Sequence, residues 1–477
     1  MKATGLFGSV QIVVIIISLI RGKFTAVLLG AEGFGIYSLL TSPIALLVTL
    51  TGLGISYSAV KDMSKLFEDK ETLKLTRAAN VFRYWVIITG VLGVIVTILI
   101  SPLLSKWSFG NYSYTYAYII LSFTLLFSAI SNGQLAYLRS IRQLSATAKA
   151  SVFGPFFGLV FTVPLYYYFN IDGIVPVILL LSVFTVLSSS YFFKKHSPAI
   201  IKLKKADVLK EGKGMIKLGI VMTIAGLLSQ LVGYLVILFI SKNGGVTDVG
   251  LYNAGMSLTI QYVGLILSAM AVDYFPRLAA INDDNIKVKE IANQQAEIIL
   301  LLLAPILIIF LLFLPIIIKT LFSNDFIDVI PFVKWTALGM FFRAISWTIS
   351  FIPGAKGDTK LFLVIEFSGS LIFYLFSIIG YNFWKLEGVG VAFLLNYIIY
   401  FLIVYFLCYN KYNFGLNKSL LKILFIQSIM LSITFICLKF GLSLITIVVL
   451  GINFIACLFY SLYELNKRMD LLKIIKK

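Results

Sequence analysis

Ionisable side chains interrupt several long apolar stretches of this sequence. Arg21 and Arg343 lie well inside two of these stretches. In a membrane-spanning helix, a charge that faces lipid costs on the order of 3 kcal/mol, so such residues usually face a hydrated interior. The planar guanidinium group of arginine can donate two parallel hydrogen bonds to a phosphate group. The two arginines therefore predict a cationic, hydrated surface that can bind phosphorylated ligands.

Hydroxyl-bearing side chains share the helix faces of both arginines. Ser18 and Thr25 are three and four residues from the first arginine, and Ser346 and Ser350 lie on the side of the second. Amide side chains in the same apolar stretches can bind a polar ligand or join neighbouring helices. These amides are Asn80, Asn132, Gln134, Gln230, Asn253, Gln261 and Asn396.

Three further cations are weaker candidates for the same surface. Lys23 and Lys334 lie nearer the outer ends of their helices and on the sides opposite the two arginines, and Arg83 lies near a cytoplasmic end. Long basic side chains at such depths can reach the interface by snorkelling. Alternatively, they contribute to ligand binding, and Arg83 could meet a lipid headgroup at the inner mouth.

Two carboxylates, Glu297 and Glu366, are embedded in apolar stretches. Either could bind a coupling H⁺ or Na⁺ ion, or pair with an arginine. No cofactor or metal is expected, because the three cysteines have no metal-ligand spacing and the single histidine, His196, lies in a loop. Since no hydrolase, transferase or nucleotide-binding motif is found, the sequence predicts a protein that is not an enzyme.

The apolar stretches are long enough to cross a bilayer, which takes about 20 residues. The chain of 477 residues is 60% hydrophobic and 13% charged, whereas soluble domains are about 25% charged. The pattern predicts an all-α integral membrane protein with about fourteen transmembrane helices. The predicted spans are 5–29, 34–60, 78–104, 114–138, 148–169, 172–193, 214–241, 249–275, 296–322, 328–353, 360–383, 387–410, 418–439 and 441–463.

The basic residues give the predicted orientation. Most of the 40 Lys and Arg residues fall in alternate loops and at the two ends of the chain. The positive-inside rule places these loops, and both termini, in the cytoplasm. The net charge of +19 therefore reflects membrane topology rather than nucleic-acid binding, since no basic helix or compact polar domain is present.

A weak internal repeat relates the two halves of the chain. Aligning the chain with itself at an offset of 215 residues without gaps, here called the repeat alignment, places Gly30 on Gly245 and Gly35 on Gly250. Two parallel six-helix lobes are predicted, and such lobes usually rock about a central cavity to transport a ligand. The predicted organisation is an N-terminal lobe (1–193), a cytoplasmic linker (194–213), a C-terminal lobe (214–410), and two further helices with a tail (411–477). The linker's lysines either contact anionic lipid headgroups or lie in a solvated connection.

Three segments of the sequence resemble a known family. They are LIRGKFTAVLLGAEGFGIYSL, the LTGLGISYSAVKDMSK that follows it, and the GAKGDTK turn at 354–360. They are similar to segments of the polysaccharide repeat-unit flippases, which transport O-antigen, capsule or teichoic-acid units. These flippases belong to the MOP (multidrug/oligosaccharidyl-lipid/polysaccharide) superfamily, so the resemblance implies a MATE-like fold. It also implies that undecaprenyl-diphosphate-linked oligosaccharides are moved from the inner to the outer leaflet of the cytoplasmic membrane.

With such a cargo, Arg21 and Arg343 would line the cavity, one from each lobe, and bind the diphosphate. The implied partners are the lipid-linked oligosaccharide and membrane lipids, together with a polysaccharide polymerase and glycosyltransferases. Three alternatives remain open at this point. They are a cation-coupled multidrug exporter, a flippase for the cell-wall lipid precursor, and a non-transporting scaffold of an envelope-synthesis complex.

Overall fold

The computed structural model describes residues 2–441 and 443–469, and these residues form helices and short connections without a β-strand. Residues 470–477 of the predicted tail lie outside the described residues. The helices are α1 Lys2–Thr51, α2 Ile55–Glu68, α3 Thr72–Phe109, α4 Thr115–Ser140, α5 Leu144–Phe169, α6 Ile174–Lys194, α7 Lys205–Ala280, α8 Asn285–Leu321, α9 Ile330–Ala355, α10 Thr359–Tyr412, α11 Lys418–Lys439 and α12 Leu444–Met469. Short 3₁₀ helices span Asn170–Gly173 and Asn324–Val329.

Ten stretches of the described chain are long and apolar enough to cross a membrane. Four of them are broken by non-helical backbone and so contain two helical segments each. These four are Val13–Thr51, Leu144–Lys194, Gly226–Ile260 and Thr359–Tyr412. Counted separately, the ten stretches comprise fourteen helical segments, and the all-α membrane fold predicted from the sequence is confirmed.

The breaks recur at positions that the repeat alignment pairs. Gly30 (φ 66°, ψ −170°) breaks α1, and Gly245 (φ 85°, ψ −178°) breaks α7 in the same conformation. Asn170 (φ 47°, ψ −127°) and Lys385 (φ 51°, ψ −135°) form a second matching pair under the same alignment. Because positive φ is sterically unfavourable for most residues, the recurrence of these breaks supports the two-lobe repeat.

Two predicted boundaries differ from the structure. The span predicted over 34–60 is interrupted after Thr51, because Leu53 (φ 49°) and Gly54 (φ 59°) adopt left-handed backbone before α2 begins. The non-helical connection between α6 and α7 is shorter than the predicted linker, because α6 extends to Lys194 and α7 begins at Lys205. The residues from Lys205 to 213 are polar, and their composition therefore predicts a linker, but they form the first turns of α7.

The chain forms two compact units. The first unit comprises Met1–Asn253 with Leu321–Asp325, and the second comprises Ala254–Thr320 with Phe326–Lys477. A core of the first unit packs residues of α1, α4 and α5 around the fully buried rings of Tyr118 and Tyr166. The core of the second unit packs α8, α9 and α10 with α11 and α12. The domain boundaries derived from the sequence stay a prediction.

Candidate functional site

The first unit contains a cavity of about 480 Å³, here called the first cavity. The end of α1, the start of α2, the faces of α3 and α4, and the first part of α7 line it. The break at Gly52–Gly54 shapes one wall, because it separates α1 from α2 at this point. A Cβ atom on Gly54 would lie 2.2 Å from the carbonyl oxygen of Gly219 on α7, so the two segments cross there at backbone distance.

Polar side chains from four helices face the first cavity. Thr49 donates a hydrogen bond from Oγ1 to Oε1 of Gln230 over 2.9 Å, which links α1 to α7. Tyr57 of α2 also lines the cavity, and α4 contributes Asn132 and Arg139. According to the predicted topology, this end of the helices is cytoplasmic. The cavity therefore offers amides, hydroxyls and a guanidinium group to a polar ligand.

The charge of the first cavity is positive. Among the described residues that line it, Arg139 is charged and no carboxylate is present. Arg139 is exposed and belongs to the last turn of α4. The predicted helix span ends at residue 138, so Arg139 is not among the site residues predicted from the sequence. The spacing of Asn132, Ala136 and Arg139 places all three on one helix face, and this pattern was the available signal.

Arg21 lies half-buried in the first half of α1, outside the lining of the first cavity. Thr25 is buried and donates from Oγ1 to the carbonyl oxygen of Arg21 over 2.9 Å, so this hydroxyl is used within its own helix. The hydroxyl of Tyr166 is buried and has no hydrogen-bond partner in the described part of the chain. Ser18 is half-buried and Lys23 is exposed.

Arg343 lies half-buried in the second unit, at the contact of α9 with α10. The Cζ atom of its guanidinium group lies 5.5 Å from the ring centroid of Tyr397, a cation–π arrangement. Its Nη1 atom lies 3.8 Å from the sulfur of Met340. Glu366 accepts a hydrogen bond from the hydroxyl of Tyr400 over 3.1 Å, and Arg343 acts on this carboxylate electrostatically. In the described residues Arg343 forms no ion pair, so its charge is not neutralised by a carboxylate contact.

The hydroxyl groups predicted to accompany Arg343 are buried on α9. Ser346 donates to the carbonyl oxygen of Phe342, and Ser350 donates to that of Trp347 over 3.0 Å. Their protons are therefore used within the helix, and only their lone pairs can serve a ligand. Asn253 of the first unit likewise donates within α7, to its own helix backbone. The side chain of Gln261 lies outside the described residues.

Two other predicted site residues hold helices of the second unit together. Glu297 of α8 forms an ion pair with Nε of Arg468 on α12 over 2.6 Å, and Arg468 also binds Glu464. Lys334 donates to the carbonyl oxygen of Leu438, near the end of α11, over 3.2 Å. The contact of Glu297 is the arginine pairing given as its alternative, whereas the contact of Lys334 with a helix carbonyl is neither of the two roles predicted for it. Glu366 is the embedded carboxylate that the structure joins to Tyr400 of the same helix, α10.

The amides near the linker have structural partners as well. Asn80 of α3 donates to the carbonyl oxygen of Ala199 over 2.8 Å and accepts from the backbone nitrogen of Ile201. Trp85 donates from Nε1 to the carbonyl oxygen of Val208 over 3.0 Å. The linker is therefore fixed along α3 rather than fully solvated. Next to it, Arg83 lines a separate cavity.

The fold and these polar surfaces define a polytopic α-helical membrane protein. A family model described as "polysaccharide biosynthesis protein" matches residues 24–331, and the chain belongs to this family. A sequence comparison with curated proteins finds no match.

Solved structures with the same fold belong to the MOP superfamily. The structure of the lipid II flippase MurJ in an inward closed conformation is similar with a TM-score of 0.76 and 17% identity, over 98% of this chain and 99% of that chain. An inward-facing multidrug resistance MATE transporter gives a TM-score of 0.70 with 16% identity, over 84% of this chain and 94% of that chain. A MOP superfamily transporter from Pyrococcus furiosus gives a TM-score of 0.62 with 16% identity, over 86% of this chain and 96% of that chain. At these identities the likeness establishes the fold.

Proposed function

We propose that this protein is a flippase that moves undecaprenyl-diphosphate-linked oligosaccharides from the inner to the outer leaflet of the cytoplasmic membrane. Membership of the polysaccharide biosynthesis family supports a role in building a surface glycan. The observation that carries the proposal is the first cavity, whose described lining contains Arg139 and polar side chains but no carboxylate. Such a lining suits a ligand that combines phosphate with sugar.

The physical chemistry of the cargo explains what the protein has to supply. The bilayer accommodates the polyprenyl tail but excludes the diphosphate and the sugars, because their charge and hydrogen bonds are lost in hydrocarbon. In the first cavity Arg139 would bind a phosphate oxygen through charge-assisted hydrogen bonds. Asn132 and Gln230 would hydrogen-bond the sugar hydroxyls, while the tail stays in lipid. The head group would thus exchange water for polar side chains.

Arg343 would act at a later stage of the same passage. It lies mid-helix in α9 without an ion-pair partner in the described residues, so it offers a positive charge at a depth where water is scarce. Arg21 would play the corresponding part in the first unit. Alternating access of the two lobes would then expose the cargo first to the cytoplasmic side and later to the outer side. Glu366 is the proposed coupling residue, for either H⁺ or Na⁺.

The alternatives differ in the ligand charge that they require. A multidrug exporter for cationic drugs needs acidic groups in its binding cavity, and the described lining of the first cavity contains none. A flippase for the cell-wall lipid precursor needs the same cationic lining, because that precursor also carries a polyprenyl diphosphate. The likeness to MurJ concerns the fold and does not decide between these two cargoes. We infer that the protein is a transporter rather than an enzyme or a scaffold.

The proposed setting follows from the charge pattern and the cargo. Both termini lie in the cytoplasm, and the partners are the glycosyltransferases that build the repeat unit and the polymerase that extends it. Deletion of the gene tests the proposal in cells. We expect loss of the surface polysaccharide together with accumulation of lipid-linked repeat units in the inner leaflet, both restored by the wild-type gene. Unchanged surface polysaccharide in the deletion strain would exclude this function.

A further inference from the structure

A second cavity, of about 450 Å³, lies in the first unit between α3, α4, α6 and the linker. Its wall is largely apolar, and its charged lining residues are Arg83 and Lys194. This size lies within the range of about 300–1,000 Å³ that is typical of small-molecule sites. The apolar wall is formed by Ala79, Phe82, Val86, Ile87, Ile130 and Phe193.

The linker closes one side of the second cavity in a fixed position. The linker residues that line it are Ser197, Pro198 and Ile200. Asn80 holds this part of the linker through its two hydrogen bonds, to Ala199 and to Ile201. The cavity is therefore bounded by a hydrogen-bonded segment rather than a loose loop.

The polar side chains of the second cavity differ in whether they already have a partner. Gln134 donates to Ser190 over 2.9 Å and accepts from Ser189 over 2.6 Å, so its amide is already paired. Arg83 and Lys194 are both exposed, and neither side chain has an ion-pair partner in the part of the chain that the structure describes. The two cations are thus available to an anionic ligand.

The second cavity reaches an exposed apolar surface of the first unit. Two of its lining residues are exposed apolar side chains, Ile87 at 42% and Ile200 at 76%. Neighbouring positions on α3 and α6 carry exposed aromatic rings, Tyr84 and Tyr191. A ligand with hydrocarbon chains can therefore enter sideways from the membrane. According to the predicted topology, this entrance is at the level of the cytoplasmic leaflet.

The internal repeat shows that the fold itself does not require this cavity. In the repeat alignment, Gln134 corresponds to Ile349, and Ser190 corresponds to Tyr405. Ile349 is fully buried in the core of the second unit, and Tyr405 packs against the same core. Arg83 corresponds to Ile298, which also packs there. Small, polar and basic residues in the first lobe thus replace large apolar residues that fill the matching space in the second.

We propose that the second cavity binds one anionic glycerophospholipid of the cytoplasmic leaflet. Its phosphate accepts hydrogen bonds from Arg83 and Lys194, and its acyl chain lies along the apolar wall and leaves past Ile87. Bound in this way, the lipid bridges α3 and α6 and stabilises the first unit. Arg83 then serves a resident lipid rather than the transported cargo.

The test uses the purified full-length protein and does not depend on transport. Binding of phosphatidylglycerol, of zwitterionic phosphatidylcholine and of inorganic phosphate is measured by native mass spectrometry and thermal unfolding. We expect phosphatidylglycerol to bind at least about tenfold more tightly than phosphatidylcholine, because both lipids carry the phosphate but the quaternary ammonium of phosphatidylcholine places a positive charge near Arg83 and Lys194. Equal affinity for the two lipids would overturn the proposal. Equivalent stabilisation by inorganic phosphate would assign the site to a free anion instead.

Variants locate the binding within the protein. Arg83→Ala and Lys194→Ala should each lower the affinity for phosphatidylglycerol about tenfold. Lys195→Ala removes the same charge one residue further along, outside the cavity lining, and should leave the affinity unchanged. Ser197→Trp, which keeps every cation and fills the cavity from its exposed edge, should abolish binding. Equal losses in the Lys194 and Lys195 variants, or normal binding in Ser197→Trp, would contradict this location.

Discussion

Gly35 and Gly250 make reciprocal contacts where α1 crosses α7. A Cβ atom on Gly35 would lie 2.0 Å from the carbonyl oxygen of Val246, and one on Gly250 would lie 1.9 Å from that of Ala31. The repeat alignment pairs the two glycines with each other, and it also pairs the two residues whose carbonyl groups they approach. The contact is therefore a local two-fold relationship, placed directly after the breaks at Gly30 and Gly245.

We predict that Gly35→Ala and Gly250→Ala each lower the free energy of unfolding by about 1–3 kcal/mol, since the added methyl groups require the helices to separate. Thermal unfolding of the purified protein in detergent provides the measurement. Gly233→Ala is the matched control on α7, because no atom lies within 4 Å of its added Cβ. It should be neutral or slightly stabilising. Equal stability of all three variants would show that the crossing tolerates separation.

Arg139 gives the most direct test of the first cavity. Arg139→Ala should reduce binding of a lipid-linked oligosaccharide about tenfold or more, because a charge-assisted hydrogen bond to phosphate is lost. Arg142→Ala is the control, since Arg142 is exposed, pairs with Glu68 and lies outside the cavity lining. Binding of the purified variants to the fluorescently labelled lipid is compared. Equal affinity of the two variants would remove Arg139 from the site.

Arg343 should be needed for transport and not for insertion. We expect Arg343→Ala to abolish surface polysaccharide while the protein reaches the membrane in normal amounts, and Arg343→Lys to retain part of the activity because the bidentate fork is lost. Surface glycan and membrane-fraction immunoblots are measured together. Arg277→Ala, at an exposed intrahelical ion pair, serves as the control. Wild-type glycan in Arg343→Ala would exclude Arg343 from the mechanism.

Glu366 should be required for coupling of transport to an ion gradient, whereas its hydrogen-bond partner Tyr400 should not. Glu366→Gln keeps the shape of the side chain but cannot carry the charge that binds H⁺ or Na⁺. We predict that its transport no longer responds to the proton or sodium gradient. Tyr400→Phe removes only the hydrogen bond over 3.1 Å and should retain the response. A gradient dependence that is unchanged in Glu366→Gln would exclude this residue as the coupling site.

Asp358 should stabilise the protein in a pH-dependent way. It accepts hydrogen bonds from the backbone of Leu361 and the hydroxyl of Tyr412 and pairs with Lys411. The bond to Lys411 is the main reason that the pKa of Asp358 is lowered to about 2. Since its usual pKa is about 3.9, the stabilisation is complete above about pH 4 and is lost as the pH falls towards 2.

Asp358→Asn should therefore lower the unfolding temperature at pH 7, and the difference from the wild type should shrink as the pH is lowered below 4. Asparagine retains the capping geometry at the start of α10, so the comparison isolates the charge. Asp283→Asn, at an exposed position without an ion-pair partner in the described chain, should behave as the wild type. A difference that is constant between pH 7 and pH 3 would contradict the assigned ionisation.

The membrane fold was predictable because hydropathy and charge report directly on the bilayer. The repeat was visible in Gly30 and Gly245 because only glycine readily adopts their backbone conformation, so the residue type records the break. By contrast, Asn170 and Lys385 adopt nearly the same break without sharing a residue type, and sequence identity does not reveal it. Helix ends set by tertiary contacts, such as the start of α7 at Lys205, were likewise hidden.

The sequence predicts which charged residues of the candidate site are embedded, but not which side chains they contact. Embedded charges could be identified from hydropathy, but their partners depend on side-chain packing. Glu297 meets Arg468, which is far away in sequence and lies near the end of the described chain. Arg139 lies one residue beyond the predicted span 114–138, because a charge near a helix end has the same hydropathy signature whether it faces water outside the helix bundle or a cavity within it.

Transport of the lipid-linked oligosaccharide by the purified protein tests the central claim most directly. The protein is reconstituted into liposomes whose inner leaflet carries a labelled undecaprenyl-diphosphate oligosaccharide, and the label that reaches the outer leaflet is measured over time. The account predicts protein-dependent appearance of the label, strongly reduced in Arg139→Ala and Arg343→Ala. Liposomes with wild-type protein that move the label no faster than protein-free liposomes would contradict it.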